Sequence, residues 1–328
     1  MRSLCRSVCL LVFFAAVPAA ALAQNAASGD REVPRTEHGF PDLQGVWTNE
    51  TLTPLERPEG MPLVIPPDLA ARLADETYSS RAGGVDAGIG TYDEVYYAHG
   101  DGLAVVDGEL RSSLITVPAD GRIPELTAAG RESIATARAL AQQFGPADNP
   151  ENRSLADRCL TSFGSNAGPP MLPNGYYNNN YSIAQTPDHV MIMTEMIHDT
   201  RIIRIGEPDP LPANIRSWFG DSWARWEADT LVVETTNFHP LQRFQGLPSD
   251  DLKVTERFHR ADENTLLYRF TVEDPTNYTE PWGGEVPMVP LDGQMYEYAC
   301  HEGNYAMEGI LAGARAEERA TAEAEPSQ

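Results

Sequence analysis

Between His189 and Glu302 the chain alternates apolar and polar residues in a series of short runs, a pattern typical of β-strands joined by polar turns. Seven runs are predicted to be strands: 189–197, 200–205, 222–226, 230–237, 252–259, 265–273 and 295–301. Two pairs are separated only by short polar turns, at 227–229 and 260–264, which predicts hairpins and a mostly antiparallel sheet. Seven strands in about 110 residues favour a curled sheet, so we predict a mainly β fold whose meander closes into a barrel or forms a sandwich.

The flanking segments are predicted to be additions to this sheet. Residues 41–49 form a turn and a short strand, and the prolines of 50–70 predict an extended arm on the domain, because proline removes a backbone donor and fixes φ. Short peripheral helices are expected over 68–80, from an N-cap at Thr127 to about Gln143, and over 305–318. The stretch 145–180, rich in Pro, Gly and Asn, predicts a long ordered loop. We therefore expect one β-rich domain over 24–312 and a charged, frayed tail over 313–328.

The first 23 residues have the organisation of a secretory signal peptide. Arg2 and Arg6 give a basic start, a short apolar stretch follows, and Ala21 and Ala23 stand at the −3 and −1 positions of a cleavage site. The apolar stretch is shorter than the roughly 20 residues that span a bilayer. We expect cleavage after Ala23, no integral membrane segment in the mature chain, and a periplasmic or secreted location.

Cleavage would leave Cys159 and Cys300 as the cysteines of the mature chain. Two cysteines in an exported protein indicate one disulfide, with a free reactive thiol as the alternative. The bond would close a long loop and join the start of the sheet region to its last predicted strand.

The net charge argues against nucleic acid as a partner. The chain carries −24 at pH 7, and removing a signal peptide with two arginines and no acid makes this −26. Binding to a phosphate backbone requires stripes of Lys and Arg, so we expect no nucleic acid partner.

Three runs in the sheet region, 218–238, 255–258 and 296–304, resemble those of a large family of exported bacterial proteins. The resemblance covers roughly residues 40–312 and implies secretion and a β-rich domain. In addition, Gly45-Val46-Trp47 is similar to the G-x-W that opens lipocalins and other calycins. That second likeness implies a calycin-like barrel enclosing a cavity for a small apolar molecule.

Strand alternation places one carboxylate among apolar neighbours. In the run 252–259, Glu256 shares a face with Leu252, Val254 and Phe258. A carboxylate in such surroundings is either a general base or one half of an ion pair, here with Arg269 or Arg204.

Two histidines are further acid–base candidates. His198 and Asp199 interrupt two apolar runs, and an imidazole beside a carboxylate suits an acid or base, although a tight turn is the ordinary place for such residues. Glu195 falls on the same face as Met191 and Met193 by alternation and could join them. His301, next to the disulfide, would be held rigidly, and a hydrogen-bonded structural histidine is the alternative. Four residues complete the set as substrate-binding candidates, together with Glu195: Arg201, Tyr268, Arg269 and Tyr298.

Metal and serine chemistry are weakly indicated. His198, His239 and His301 could supply ligands, yet they come from separate segments without H-x-H or H-E-x-x-H spacing. Ser165 lacks the G-x-S-x-G spacing of a nucleophile elbow. We therefore expect no metal and no other cofactor.

These patterns favour an exported, cofactor-independent enzyme of the lyase, isomerase, cyclase or hydrolase type. It would act by acid–base chemistry on a small, largely apolar molecule in a barrel cavity, with His198, Asp199, Glu256 and His301 as catalytic residues. A lipocalin-like small-molecule binding protein without chemistry is the alternative. A structural or envelope-interaction protein is the third reading, favoured where side chains fill the interior.

Overall fold

A computed structural model of the chain describes residues 33–83, 98, 100–162, 164–248 and 250–324. In chain order its strands are β1 (Gly45–Thr48), β2 (Val64–Ile65), β3 (Val105–Val106), β4 (Glu109–Arg111), β5 (Ile115–Val117), β6 (Asn180–Gln185), β7 (His189–Thr194), β8 (Thr200–Ile205), β9 (Asp221–Glu227), β10 (Thr230–Thr236), β11 (Arg243–Phe244), β12 (Leu247–Pro248), β13 (Lys253–Asp262), β14 (Thr265–Glu273) and β15 (Trp282–Pro290). Its helices are α1 (Pro67–Gly83), α2 (Ala128–Ala141) and α3 (Tyr305–Ala324). The signal peptide predicted over residues 1–23 lies outside the described residues.

Nine of these strands form a closed barrel, which confirms the predicted mainly β, barrel-type fold. The strand order is β1-β6-β7-β8-β9-β10-β13-β14-β15, with β5 added beside β15. Strand β1 closes the ring, because Trp47 pairs with Tyr181 of β6 on one side and with Pro290 of β15 on the other. No barrel strand is therefore left with a free edge along its whole length.

One pair of neighbours departs from the predicted antiparallel pattern. Strands β8 and β9 are parallel, with Arg204 opposite Trp223. The chain leaves β8 at Ile205, passes through the proline-containing stretch 206–220, and enters β9 at Asp221, so that the last residues of β8 pair with the first residues of β9. The barrel is consequently mixed, with the remaining barrel pairs antiparallel.

Strand alternation correctly assigns the interior face of the longest strand. Val254, Glu256 and Phe258 of β13 are fully buried, and their neighbours on the other face are half-buried. The barrel core includes fully buried side chains from many strands: Ile203, Ala224, Leu231, Val233, Val254, Phe258, Tyr268 and Val286. None of the surface of these side chains is reachable by water, so the middle of the barrel is filled by the protein itself.

The sequence pattern does not predict the barrel strands β6 and β15, and the strand predicted over 295–301 is wrong. Strand β6 follows directly on the predicted loop over 145–180, and β15 contains Gly283, Gly284 and two prolines, which are unfavourable in strands. The glycines are needed because a Cβ at Gly284 would lie 2.1 Å from the Leu114 carbonyl oxygen, where β5 packs. The run 295–301 is not a strand, because the last ladder-like bond joins Leu291 N to the Val46 carbonyl and the chain then turns at 292–293.

The peripheral elements largely follow the sequence pattern. The Thr127 hydroxyl accepts from Gly130 N at 3.0 Å and caps α2 as predicted. The proline-rich arm lies against residues 102–115, with Leu52 N bonded to the Gly102 carbonyl. Helix α3 runs to Ala324, beyond the predicted end, because its second half is rich in Ala, Glu and Arg, which favour helix. No helix among the described residues has the length and apolar character needed to span a membrane.

Candidate functional site

Polar side chains collect at one end of the barrel, which we call the rim. There β1 and β7 end while β6 and β8 begin, and the pairs Thr48–Asn180 and Met193–Thr200 hold these strand ends together. The rim residues lie at 49–50 and 195–199. A second segment, residues 296–300, which we call the strap, contacts them from outside the barrel.

His198 is held at the rim by the strap. Its Nδ1 lies 2.7 Å from the carbonyl oxygen of Tyr298. A carbonyl oxygen only accepts hydrogen bonds, so Nδ1 carries the proton and, in the neutral ring, Nε2 has a lone pair. The imidazole is exposed, so Nε2 can receive a proton from a molecule bound at the rim.

The turn that presents His198 is strained. Ile197 and His198 both have positive φ, 66° and 47°, a region that a β-branched residue such as isoleucine rarely adopts. The Ile197 side chain is buried in an apolar cluster with Cys159, Ala167 and Phe219. Burial thus fixes an unfavourable backbone shape beside an exposed imidazole, a combination that is frequent at functional sites.

The predicted disulfide between Cys159 and Cys300 is present. It anchors the end of the strap, and two other strap residues bond to rim residues through their backbones. Tyr298 accepts from His198, and Tyr296 N donates to Glu195 Oε1 at 3.0 Å. The disulfide therefore fixes a segment on which the positions of two predicted site residues depend.

Glu195 is buried and its two carboxylate oxygens are both bonded. Oε2 accepts from Asn180 Nδ2 at 2.7 Å, and Oε1 accepts from the strap. The prediction from alternation with Met191 and Met193 is wrong for this residue, because β7 ends at Thr194 and a short helical turn follows. These two bonds hold the Glu195 carboxylate in place at the rim. Glu195 itself is buried, whereas His198 is exposed.

Two further carboxyl groups at the rim, those of Asp199 and Glu50, are half-buried. Burial raises the pKa of Asp199, while the Thr200 N–H, 2.6 Å from Asp199 Oδ1, and His198 oppose the shift. Burial also raises the pKa of Glu50, reinforced by the negative charges of Glu195 and Asp101 and opposed by a hydrogen bond from Thr48. Both groups hold a proton more readily than an ordinary surface carboxylate, as a general acid must.

The sequence pattern does not point to Glu50. It lies in the segment interpreted as a proline-rich arm, and nothing in its local pattern marks it. The signal is tertiary: Thr48 pairs with Asn180, and the Asn180 amide bonds to Glu195, which places Glu50 next to a second carboxylate.

Glu256, predicted to be catalytic, lies in the barrel interior and is fully buried. It forms a bidentate ion pair with Arg201, with Oε2–Nη1 at 2.7 Å and Oε1–Nη2 at 2.9 Å, and Oε1 also accepts from the Tyr268 hydroxyl at 3.0 Å. The partner is Arg201, so the pairing predicted with Arg269 or Arg204 is wrong. Inward-facing alternation on β8 selects Arg201, because Arg204 points outward and pairs with Asp221.

The remaining predicted residues are dispersed. Arg269 lies on the outside of the barrel, where it bonds to Glu285 at 3.3 Å. His301 is exposed on the turn that follows the disulfide. Tyr298 is half-buried against the cluster of Ile197 and contributes its backbone carbonyl to the site. The structure thus brings together His198, Asp199, Glu195 and the Tyr298 carbonyl, places Glu256, Arg201 and Tyr268 together in the interior, and separates Arg269 from both groups.

Other site types find little support in the described part of the chain. It contains no cluster of three or more His, Cys, Asp or Glu side chains arranged to hold a metal ion. An open groove of about 630 Å³ lies away from the barrel, between residues 145–148 and the second half of α3. Its lining is mostly alanine, glycine and exposed charged side chains, without the arrangement seen at the rim.

Comparison of the chain with protein-family models, with curated protein sequences and with solved structures gives no match. The likeness to exported bacterial proteins and to calycins therefore stays a prediction. The case for a function depends on the geometry of the rim.

The buried Arg201–Glu256 ion pair predicts that removing one of the two charges costs more unfolding free energy than removing both. Glu256→Leu leaves the Arg201 charge buried without a partner and is expected to cost about 3–5 kcal/mol of unfolding free energy. The double variant Arg201→Met, Glu256→Leu removes both charges and is expected to recover most of that loss. Urea unfolding measures both. Additive losses in the double variant would contradict the pairing.

Replacing Glu50 by glutamine is predicted to stabilise the folded state at neutral pH and not at acidic pH. Its raised pKa means that the folded state disfavours the carboxylate, so this group's contribution to stability is present below the ordinary carboxyl pKa and is lost as the pH rises through the folded-state value. Glu50→Gln is therefore expected to raise the Tm at pH 7 and to have no effect below about pH 4. Scanning calorimetry across this range tests it, with the exposed Glu59→Gln as control. An equal Tm change at both pH values would contradict the account.

Proposed function

We propose that this protein is an exported enzyme that catalyses acid–base chemistry at the barrel rim with its own side chains. The observation that carries the proposal is the Nδ1 contact of His198 with the Tyr298 carbonyl, which leaves Nε2 exposed as a base. The disulfide is typical of proteins that mature in an oxidising compartment and supports export.

The proton balance of such a reaction is met by the rim residues. His198 Nε2 takes a proton from the substrate, and a protonated Glu50 or Asp199 carboxyl delivers one to another substrate atom. The raised pKa of both carboxyl groups supports this donor role. An elimination or an isomerisation by proton transfer needs no more than these two steps, and a hydrolysis adds a water molecule activated by His198. Lyase, isomerase and hydrolase classes therefore fit, in that order of simplicity.

The surroundings of the rim favour a small, largely apolar substrate. Trp218 and Tyr298 pack against the buried cluster of Ile197 and Phe219 and are only half-buried, so part of each apolar ring is open to a substrate. The filled barrel interior does not support the expected cavity, so the enzyme would have to bind its substrate at the rim, and a lipocalin-like carrier with a central cavity has less support. By the criterion given above, the same filled interior favours a structural or envelope-interaction protein as the second candidate.

The proposal predicts that His198→Gln strongly lowers turnover. Purified protein would be assayed with panels of small apolar esters, lactones, β-hydroxy carbonyl compounds and enolisable ketones. General acid–base groups contribute about 10²–10⁴-fold, so at least one reaction of the wild type should fall by a factor in that range. Glutamine is similar to histidine in length and cannot act as a base.

His189→Gln provides the matched control, because His189 is exposed at the start of β7, at the other end of the barrel. Its turnover should equal that of the wild type. His301→Gln separates the two exposed histidines near the strap. A reaction that persists in His198→Gln, at the rate of the wild type, would refute the proposal.

A further inference from the structure

The Glu256–Arg201 pair takes no part in the proposed reaction, because both side chains are buried inside the barrel. A buried ion pair is a poor source of stability, since desolvation offsets most of the attraction. A role other than stability is therefore expected for this pair. The hydrogen bonds of Glu256 indicate that role. Glu256 Oε1 accepts from the Tyr268 hydroxyl, which leaves the Tyr268 oxygen free to accept in turn.

Tyr268 and two other interior side chains hold one loop at three backbone atoms. The loop covers residues 164–172, and we call it the plug. Met171 N donates to the Tyr268 hydroxyl at 2.8 Å, and Asn49 Nδ2 donates to the Met171 carbonyl at 3.1 Å. The Tyr181 hydroxyl donates to the Asn166 carbonyl at 2.7 Å. All five residues are buried, so water cannot substitute for these bonds.

The three interior side chains are linked directly or through Met171. Asn49 Nδ2 donates to the Tyr181 hydroxyl at 3.2 Å, and Asn49 and Tyr268 both bond to the backbone of Met171. Burial raises the pKa of the Tyr181 and Tyr268 hydroxyls, which keeps both as neutral donors. The bidentate contact with Arg201 fixes the direction in which Glu256 presents its oxygen. The plug is therefore aligned by a polar network that starts at the ion pair.

The plug in turn contacts the candidate site along two routes. Ala167 belongs to the apolar cluster that buries Ile197, the residue before His198. Asn166 Nδ2 donates to the Asn178 carbonyl at 2.8 Å, and two residues further along Asn180 holds Glu195. A displaced plug would thus disturb both the strained turn and the fixed carboxylate.

We propose that Tyr268, anchored by Glu256, is a positioning residue that holds the plug and through it the Ile197–His198 turn. Its functional meaning rests on the proposed role of His198. The structural coupling between Tyr268 and His198 is measurable without any substrate.

Tyr268→Phe tests the coupling, because it removes one oxygen and keeps the ring in the core. Met171 N then loses its acceptor. Its amide exchange should become about tenfold faster or more, after normalisation to an amide in the middle of β10 that reports global opening. The His198 Nδ1 proton resonance should shift or broaden in the same sample, since the turn loses its support.

Phe258→Leu is the matched control. Its ring lies 5.2 Å from that of Tyr268 in the same layer of the core, and the substitution weakens packing while every hydroxyl remains. The normalised exchange of Met171 and the His198 resonance should be those of the wild type.

Two results would overturn the inference: an unchanged Met171 amide in Tyr268→Phe, or a faster Met171 amide with an unchanged His198 resonance. Either result leaves the proposed function untouched, because that depends on the loss of turnover in His198→Gln. Conversely, a coupled response in a protein without His198-dependent turnover would support the positioning network and refute the enzyme.

Discussion

The structure depends on the double pairing of β1. Four residues, Gly45–Thr48, bond to β6 on one side and to β15 on the other, and so convert an open sheet into a barrel. The pairing with β6 places the end of β1 next to the start of β6, where Thr48 lies opposite Asn180, more than 100 residues later in the chain. Without it, Glu50 would not lie beside Glu195, and Asn49 would not reach Tyr181 and Met171. The pairing with β15 closes the barrel, and the pairing with β6 forms the rim.

The barrel interior is closely packed and buried, whereas the rim carries exposed polar groups. Inside, large apolar side chains and the Arg201–Glu256 pair leave little surface open to water, so charge is neutralised within the core. At the rim the strand ladders stop, and backbone and side-chain groups that no strand pairs with are available to bond to loops. The strap and the plug use these groups, and His198 is presented between them.

Much of the fold can be predicted from the chain because its alternation is clear. The interior face of β13 and the hairpins around β10, β13 and β14 follow from a period of two. Strand β15 is not predicted by this alternation. It contains glycines that allow β5 to approach and prolines at outward-facing positions, and both residue types are unfavourable in strands. The parallel β8–β9 pair is not predicted either, because the alternation within each strand does not determine the path of residues 206–220 between them.

The site is less predictable, for a related reason. His198, Asp199 and Glu195 stand out because they interrupt apolar runs, and the disulfide follows from the number of cysteines. The partners that define their chemistry are backbone atoms: the Tyr298 carbonyl and the Tyr296 amide. Every residue has these atoms, so no sequence pattern marks them. Glu256 stands out equally in the sequence, yet its face of β13 points into a filled core.

The central claim is that His198 is an imidazole with its proton fixed on Nδ1 and with Nε2 available. Nitrogen-15 NMR of the histidine rings at alkaline pH measures this tautomer directly. The account predicts that His198 carries its proton on Nδ1, in contrast to the Nε2 form that free histidine prefers. A neutral His198 ring with its proton on Nε2 would mean that the contact with Tyr298 does not hold in solution, and would contradict the account.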